Sequence, residues 1–453
     1  MEAAQELNKP LFSREALLRL IIPLVIEQFL LMSVGMADTV MVTTSGEAAV
    51  SGVSLVDNLN LLLIQIFAAL STGGAVVVSQ YLGRRDVENA RAAAKQLLYS
   101  VVAVSTLLTL TALIFRQHIL SLIFGRVEPD VMDSALQYFI ATALAYPFMS
   151  LYNAGAALFR SMGNSRVSMF NSLVVNIVNI SVNAVLIFGF HMGALGAGIG
   201  TLVSRIVAAV IILFLMQRPD NLLCIEGLFH PEFHGGMVKR ILSIGVPNGL
   251  ENGLFQAGKL VVLSLITSFG TAAVAANAIA NSIASVINVP GQAVGLSMVT
   301  VVGQCIGARD TVQAVGYTKK LMAVTYLSMG AMSIVLFLTA GPLVTLFNLS
   351  PEAAAMATRV LHWNCVFLLV FWPMSFTLPN ALRASGDAVF TMGVSLFSMA
   401  VFRIVFSYIL ACSWGFGLGL LGVWLAMFID WIDRAVIFLI RFLRGKWKTK
   451  RVI

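Results

Sequence analysis

Two carboxylates lie eleven residues apart, Glu27 and Asp38, in the apolar stretch PLVIEQFLLMSVGMADTVM of residues 23–41. At about 100° per residue they return to one helix face with Leu31 and Val34, roughly 16 Å apart along the axis. An ionisable group in mid-membrane costs about 2.5–3.5 kcal/mol on insertion scales, and one that faces a bundle interior marks an ion or substrate path. A helix-end carboxylate that snorkels to the interface is the alternative for both residues. Asn176, Asn179 and Asn183 follow at i, i+3 and i+7 in VVNIVNISVN, on one face of an otherwise apolar run. Three amides on such a stripe are interhelical glue, the lining of a cation site, or the partners of a carboxylate. Glu251 and Lys259, eight residues apart, either pair, with each other or with Glu27, or line a cavity. Met32, Phe255 and Gln256 are further cavity candidates, since ring faces and thioethers suit flat cationic solutes when they are not simply packing.

The elements that must position these residues are membrane helices. With 58% hydrophobic and 11% charged residues and a mean hydropathy of +0.90 over 453 residues, a soluble globule is excluded. Apolar runs able to cross about 30 Å of hydrocarbon recur twelve times, at about 17–40, 51–81, 93–115, 135–158, 167–190, 193–216, 240–268, 275–306, 319–341, 355–381, 390–412 and 417–441. The net charge of +8 is read as topology. Of 29 Lys and Arg, 22 fall at one set of loop ends or the termini, so no nucleic-acid partner is expected and both termini are placed in the cytoplasm. The tail RFLRGKWKTKR would lie against anionic lipid. His230 and His234 have the i, i+4 spacing of a ligand pair, but no further ligand is near, and neither a metal site nor an organic cofactor is expected.

The chain also repeats itself. VVVSQYLGRRD at 76–86 matches TVVGQCIGARD at 300–310 at six of eleven positions, an offset of 224 that also pairs Pro23 with Pro247 and Glu27 with Glu251. Offsets of 223 and 226 pair Arg160 and Gly163 with Arg383 and Gly386, and Gly193 and Gly196 with Gly419 and Gly422. In both GRRD and GARD a glycine stop followed by charges reads as a membrane exit. The expected architecture is an all-α polytopic membrane protein of twelve transmembrane helices, in two pseudo-twofold-related six-helix lobes around a central cavity. Residues 1–216 form the N-lobe, 217–239 a cytoplasmic linker and 240–453 the C-lobe with its basic tail.

Twelve spans in a duplicated chain, an early GMADT, the VVVSQYLGRRD repeat and the Asn/Thr pattern together resemble the multidrug and toxic compound extrusion (MATE) transporters of bacterial type, over essentially the whole chain. The resemblance implies an amino-lobe cation site formed by Asp38, Asn179, Asn183 and Thr201, with Asn176 on the same stripe. Some family members carry an aspartate where Asn183 stands, so this site holds one formal charge and either a proton or a sodium ion suits it. The C-lobe departs from the family pattern: Phe255 replaces a glutamate found in some relatives, and the tenth span contains no acid. The implied function is cation-coupled antiport of organic compounds, with cationic solutes expected, by a monomer in the plasma membrane that uses no cofactor beyond its coupling ion. A flippase for a lipid-linked head group, lined by cations such as Arg205, Lys259, Arg403 and Arg434, is the alternative within transport. An intramembrane enzyme would need a convergent His, Asp or Ser cluster, and the five histidines are scattered.

Overall fold

The computed structural model describes residues 10–125, 128–225, 227, 232–450 and 452–453. The described residues form helices and connecting turns with no strand, as lipid requires of a chain that must satisfy every backbone polar group within its own segments. In order these are α1 Arg14–Thr43, α2 Glu47–Gly83, α3 Val87–Ile114, a short α4 Arg116–Phe124, α5 Pro129–Ser161, α6 Ser165–Ala184 and α7 Gly193–Met216. There follow α8 Gly235–Thr267, α9 Thr271–Gly307, α10 Thr311–Thr345, α11 Pro351–Trp372, α12 Leu378–Ala384, α13 Ala388–Ser398, α14 Phe406–Ala411 and α15 Gly419–Leu443. π-helical turns at Val185–Gly189, Pro373–Thr377 and Met399–Val405 continue α6, join α11 to α12 and join α13 to α14.

Each of the twelve apolar runs falls on a long helical segment, and nine segments among the described residues are long and apolar enough to cross a membrane. Three other long helices, α5, α8 and α15, carry more polar residues, such as Lys239, Glu251 and Lys259 in α8 and Asp430, Asp433 and Arg434 in α15.

The chain divides into two compact units, one of residues 13–249 with Ile453, the other of residues 1–12 and 250–452. In the first, small residues let helix backbones approach. A Cβ on Gly52 would sit 2.9 Å from the Val131 carbonyl, and one on Gly73 would sit 2.7 Å from the Gly245 amide nitrogen, which ties α2 to α5 and to the start of α8. The core of this unit gathers Val56, Phe67, Leu120, Phe139 and Tyr146. The second unit packs around stacked rings, Phe367 on Phe428 at 4.5 Å and Trp372 on Phe376 at 5.1 Å.

The duplication is visible residue by residue. Arg85 and Arg309 both adopt the left-handed conformation, at φ 62° and 61°, and the following Asp86 and Asp310 cap the next helix by accepting from the Asn89 and Gln313 amides at 3.2 and 2.8 Å. The expected glycine stop is therefore corrected: Gly83 and Gly307 are the last helical residues, and the arginine two positions later makes the turn. Gly163 and Gly386 also share a positive φ, as do Gly193 and Gly419.

Candidate functional site

Asp38 lies near the end of α1 and meets α6, which packs along both α1 and α7. Asn183 Nδ2 donates to Asp38 Oδ1 at 2.6 Å and to Asn179 Oδ1 at 3.3 Å, so the i, i+4 pair of α6 acts as one polar unit. Both asparagines are fully buried, whereas Asp38 keeps partial exposure. The other amide atom, Asn183 Oδ1, is buried without a hydrogen-bond partner among the described residues and abuts Gly200 of α7, where only a glycine leaves it room. Next to it, Thr201 is buried beside the Tyr138 phenol, its hydroxyl without a completed hydrogen bond. A carboxylate, an amide carbonyl and a hydroxyl with spare lone pairs, on neighbouring helices, are oxygen donors of the kind a proton or a hard monovalent cation uses. The π turn at Val185 begins two residues after Asn183, a placement common beside functional residues.

Asn176 is not drawn into this cluster. Its Nδ2 donates to the Ser172 carbonyl at 2.9 Å within its own helix. Two charged residues that the sequence reading did not assign to the site act on Asp38 electrostatically, Asp57 of α2 and Arg205 of α7. Asp57 Oδ1 accepts from the Tyr138 hydroxyl at 2.8 Å and from Asn60 at 3.4 Å, and Asn60 Oδ1 in turn accepts from the Tyr146 hydroxyl at 2.8 Å. The signal was present: VDNLN puts an acid and an amide three residues apart inside an apolar span, and the rule that singles out Asp38 applies to it equally.

Glu27 and Glu251 stand corrected, from candidate cavity-lining acids to members of buried ion pairs. Glu27 is held by Arg160 at 3.4 Å and by the Ser168 hydroxyl at 2.6 Å. Glu251 is held by Arg383 at 2.6 Å and by the Ser395 hydroxyl at 2.6 Å. The two clusters are copies of one arrangement, each a lock between three helical segments of one unit. Lys259 pairs with neither acid, because eight helical residues separate it from Glu251 by about 12 Å of rise, beyond ion-pair reach. It lies instead 5.1 Å over the Phe255 ring. Phe255 packs edge-on against Phe376 at 6.1 Å, while Met32 and Gln256 are half-buried. His230 lies outside the described residues, and His234 Nδ1 stands 3.5 Å from Gln96 Nε2.

The MatE family profile matches twice, at residues 23–185 and 247–409, two segments whose ends are both displaced by 224 residues. The probable multidrug resistance protein NorM of Thermotoga maritima is 27% identical over 450 residues, covering 97% of this chain and 94% of the relative. The multidrug export protein MepA of Staphylococcus haemolyticus is 23% identical over 375 residues, covering 82% and 80%. A crystal structure of MATE in the bent conformation superposes with a TM-score of 0.89 at 21% identity, over 100% of this chain and 99% of that one. The outward-facing conformation of a multidrug resistance MATE family transporter of the MOP superfamily does so with a TM-score of 0.89 at 22% identity, over 96% of each.

Proposed function

The chain belongs to the MatE family, and we propose that it is a secondary active multidrug efflux transporter that exchanges an inward-moving cation, H⁺ or Na⁺, for an organic solute by alternating access. The reading is carried by one observation: a single carboxylate, Asp38, bonded at 2.6 Å to an asparagine on another helix, beside a buried carbonyl and a buried hydroxyl left with spare lone pairs. A carboxylate so placed has two states, charged with the Asn183 amide donating to it, and neutralised by a proton or a cation.

In the proposed cycle the neutral state loosens the bond between α1 and α6, and ion and solute favour opposite arrangements of the protein. Reversing a 1:99 population takes about 5.5 kcal/mol of differential binding. A hydrogen bond to a charged group contributes about 1.5–3 kcal/mol, so the Asp38 bond supplies up to about half and differential solute binding supplies the rest. The driving force is bounded as well. One charge crossing 100 mV is worth about 2.3 kcal/mol, on the order of fifty-fold in concentration for a neutral solute, whereas one-for-one exchange with a monovalent cation gains nothing from voltage.

The basic loops and tail support cytoplasmic termini and the plasma membrane as the location, and the match to the family fold along this one chain supports a monomer as the working unit. The test is solute uptake into inside-out vesicles with pH and sodium gradients imposed separately. One gradient is expected to drive uptake in the wild type and neither in Asp38→Asn. Undiminished uptake by the variant would remove Asp38 from coupling.

A further inference from the structure

The unit of residues 250–452 contains a cavity of about 190 Å³ whose wall includes Lys259, Asn277, Asn281, Arg403, Trp424 and Met427. The lining carries two cations and no acid. Arg403 has a counter-ion in Asp430 at 3.6 Å, but that carboxylate is shared with Arg434 at 3.0 Å and with the Ser398 hydroxyl at 2.6 Å. The other acid of α15, Asp433, interacts with Ser398 and Arg434. Lys259 has no carboxylate partner among the described residues, and the charges that act on it are Arg403 and Arg434. These three cations converge on the Phe255 ring, at 5.1, 5.5 and 4.8 Å from its centroid.

Like charges gathered around one ring, with an exposed ammonium left over, repel one another, and an anion seated among them would relieve that repulsion. Asn277 adds a donor to the same wall. Its Oδ1 accepts from Trp424 Nε1 at 3.1 Å and from Asn281 Nδ2 at 3.0 Å, which leaves its own Nδ2 without a partner among the described residues. The cavity is smaller than the ~300–1,000 Å³ clefts that enclose whole drug-sized ligands, so it suits a head group with one or two rings.

We propose that this cavity seats the anionic group of a small aromatic solute, a carboxylate or sulfonate bridged by Lys259 and Arg403 and hydrogen-bonded by Asn277, with its ring against Trp424 and Met427. The assignment adds anionic solutes to the cationic ones that the resemblance implies, because the Phe255 ring, which could have received an organic cation, already has three cations of the protein within 5.5 Å of its centroid. It rests on the efflux reading only in taking the occupant to be a transported solute.

The test is binding of 1-naphthoate and of 1-naphthylmethylammonium, two probes with the same body and opposite charge, to detergent-purified full-length protein by isothermal titration calorimetry. The naphthoate is expected to bind and the ammonium not to compete. Lys259→Gln is expected to weaken naphthoate binding about tenfold or more, and Lys259→Arg to restore most of it. Lys259 forms no ion pair among the described residues, so its replacement strands no buried acid there, and equal thermal unfolding of the two variants checks that they fold alike. Preference for the ammonium, or naphthoate affinity indifferent to Lys259→Gln, would overturn the assignment. So would loss of naphthoate binding in nanodiscs containing phosphatidylglycerol but not in phosphatidylcholine, which would give the cavity to a lipid head group. Asp38→Asn is expected to keep naphthoate binding. Failure of the anion site with gradient-driven transport intact therefore leaves the efflux reading standing, and the reverse result leaves the anion site standing.

Discussion

Gly200→Ala tests the proposed cation site without replacing any of its polar groups. A Cβ at Gly200 would overlap Asn183 Oδ1 and come within 2.8 Å of its Cγ and 3.3 Å of its backbone nitrogen. The backbone of α6 is fixed by its own helix, so the amide must turn away, and turning it breaks the 2.6 Å bond to Asp38. Loss of a hydrogen bond to a charged group costs about 1.5–3 kcal/mol, which is about 10- to 140-fold in an equilibrium. Crowding adds about 1–3 kcal/mol to the folding cost. The assay is ion-driven solute uptake in proteoliposomes as a function of coupling-ion concentration, with thermal unfolding measured in parallel. The half-saturating ion concentration is expected to shift by at least tenfold. Gly196→Ala, whose Cβ would meet Leu186 and Met192 at 3.2 Å and no asparagine, is the control for crowding alone and is expected to leave ion dependence unchanged. A folded Gly200→Ala protein with wild-type ion dependence would refute the claim that the Asn183 amide orientation sets the state of Asp38.

Other outcomes follow from the same contacts. Glu251→Gln leaves Arg383 buried beside a weaker partner and is expected to cost about 3–5 kcal/mol of stability, read as a fall in unfolding temperature; Glu251→Gln with Arg383→Gln should recover much of it, and no recovery would argue against the pair. Asp57→Asn keeps an acceptor for the Tyr138 hydroxyl but removes a charge that acts on Asp38, so ion dependence should move while the unfolding temperature stays near wild type; unchanged ion dependence would exclude Asp57 from the site. Asp310→Ala removes the cap on the Gln313 amide and should cost about 1 kcal/mol without changing the solutes carried, which an unfolding curve and an uptake panel would check together.

The spans and the duplication were legible because they are local: length, hydropathy and a motif that returns at a fixed offset need no knowledge of neighbours. The Asp38 and Asn183 pairing was within reach because three asparagines on one stripe ask for a partner. The roles of Glu27 and Glu251 were not legible. Their partners, Arg160 and Arg383, lie 133 and 132 residues away in the chain, and an acid inside a span reads the same whether it is paired or open to a path. Even so, the repeat that aligned Glu27 with Glu251 and Arg160 with Arg383 already held both halves of the answer. Asn176 shows the converse: its spacing fits the stripe, yet its Nδ2 donates to the Ser172 carbonyl of its own helix. The excess of cations around Phe255 depends on side chains from three helical segments converging, which periodicity within one helix does not report.

The central claim is that Asp38 takes up the coupling ion and gives it up when solute binds. Direct ion binding to purified protein measures this without transport, by radiolabelled sodium and by proton release in weakly buffered solution on solute addition. Wild-type protein is expected to bind close to one proton or one sodium ion per chain and to release it as solute saturates, and Asp38→Asn to bind none. Full ion binding and release by Asp38→Asn would contradict the account.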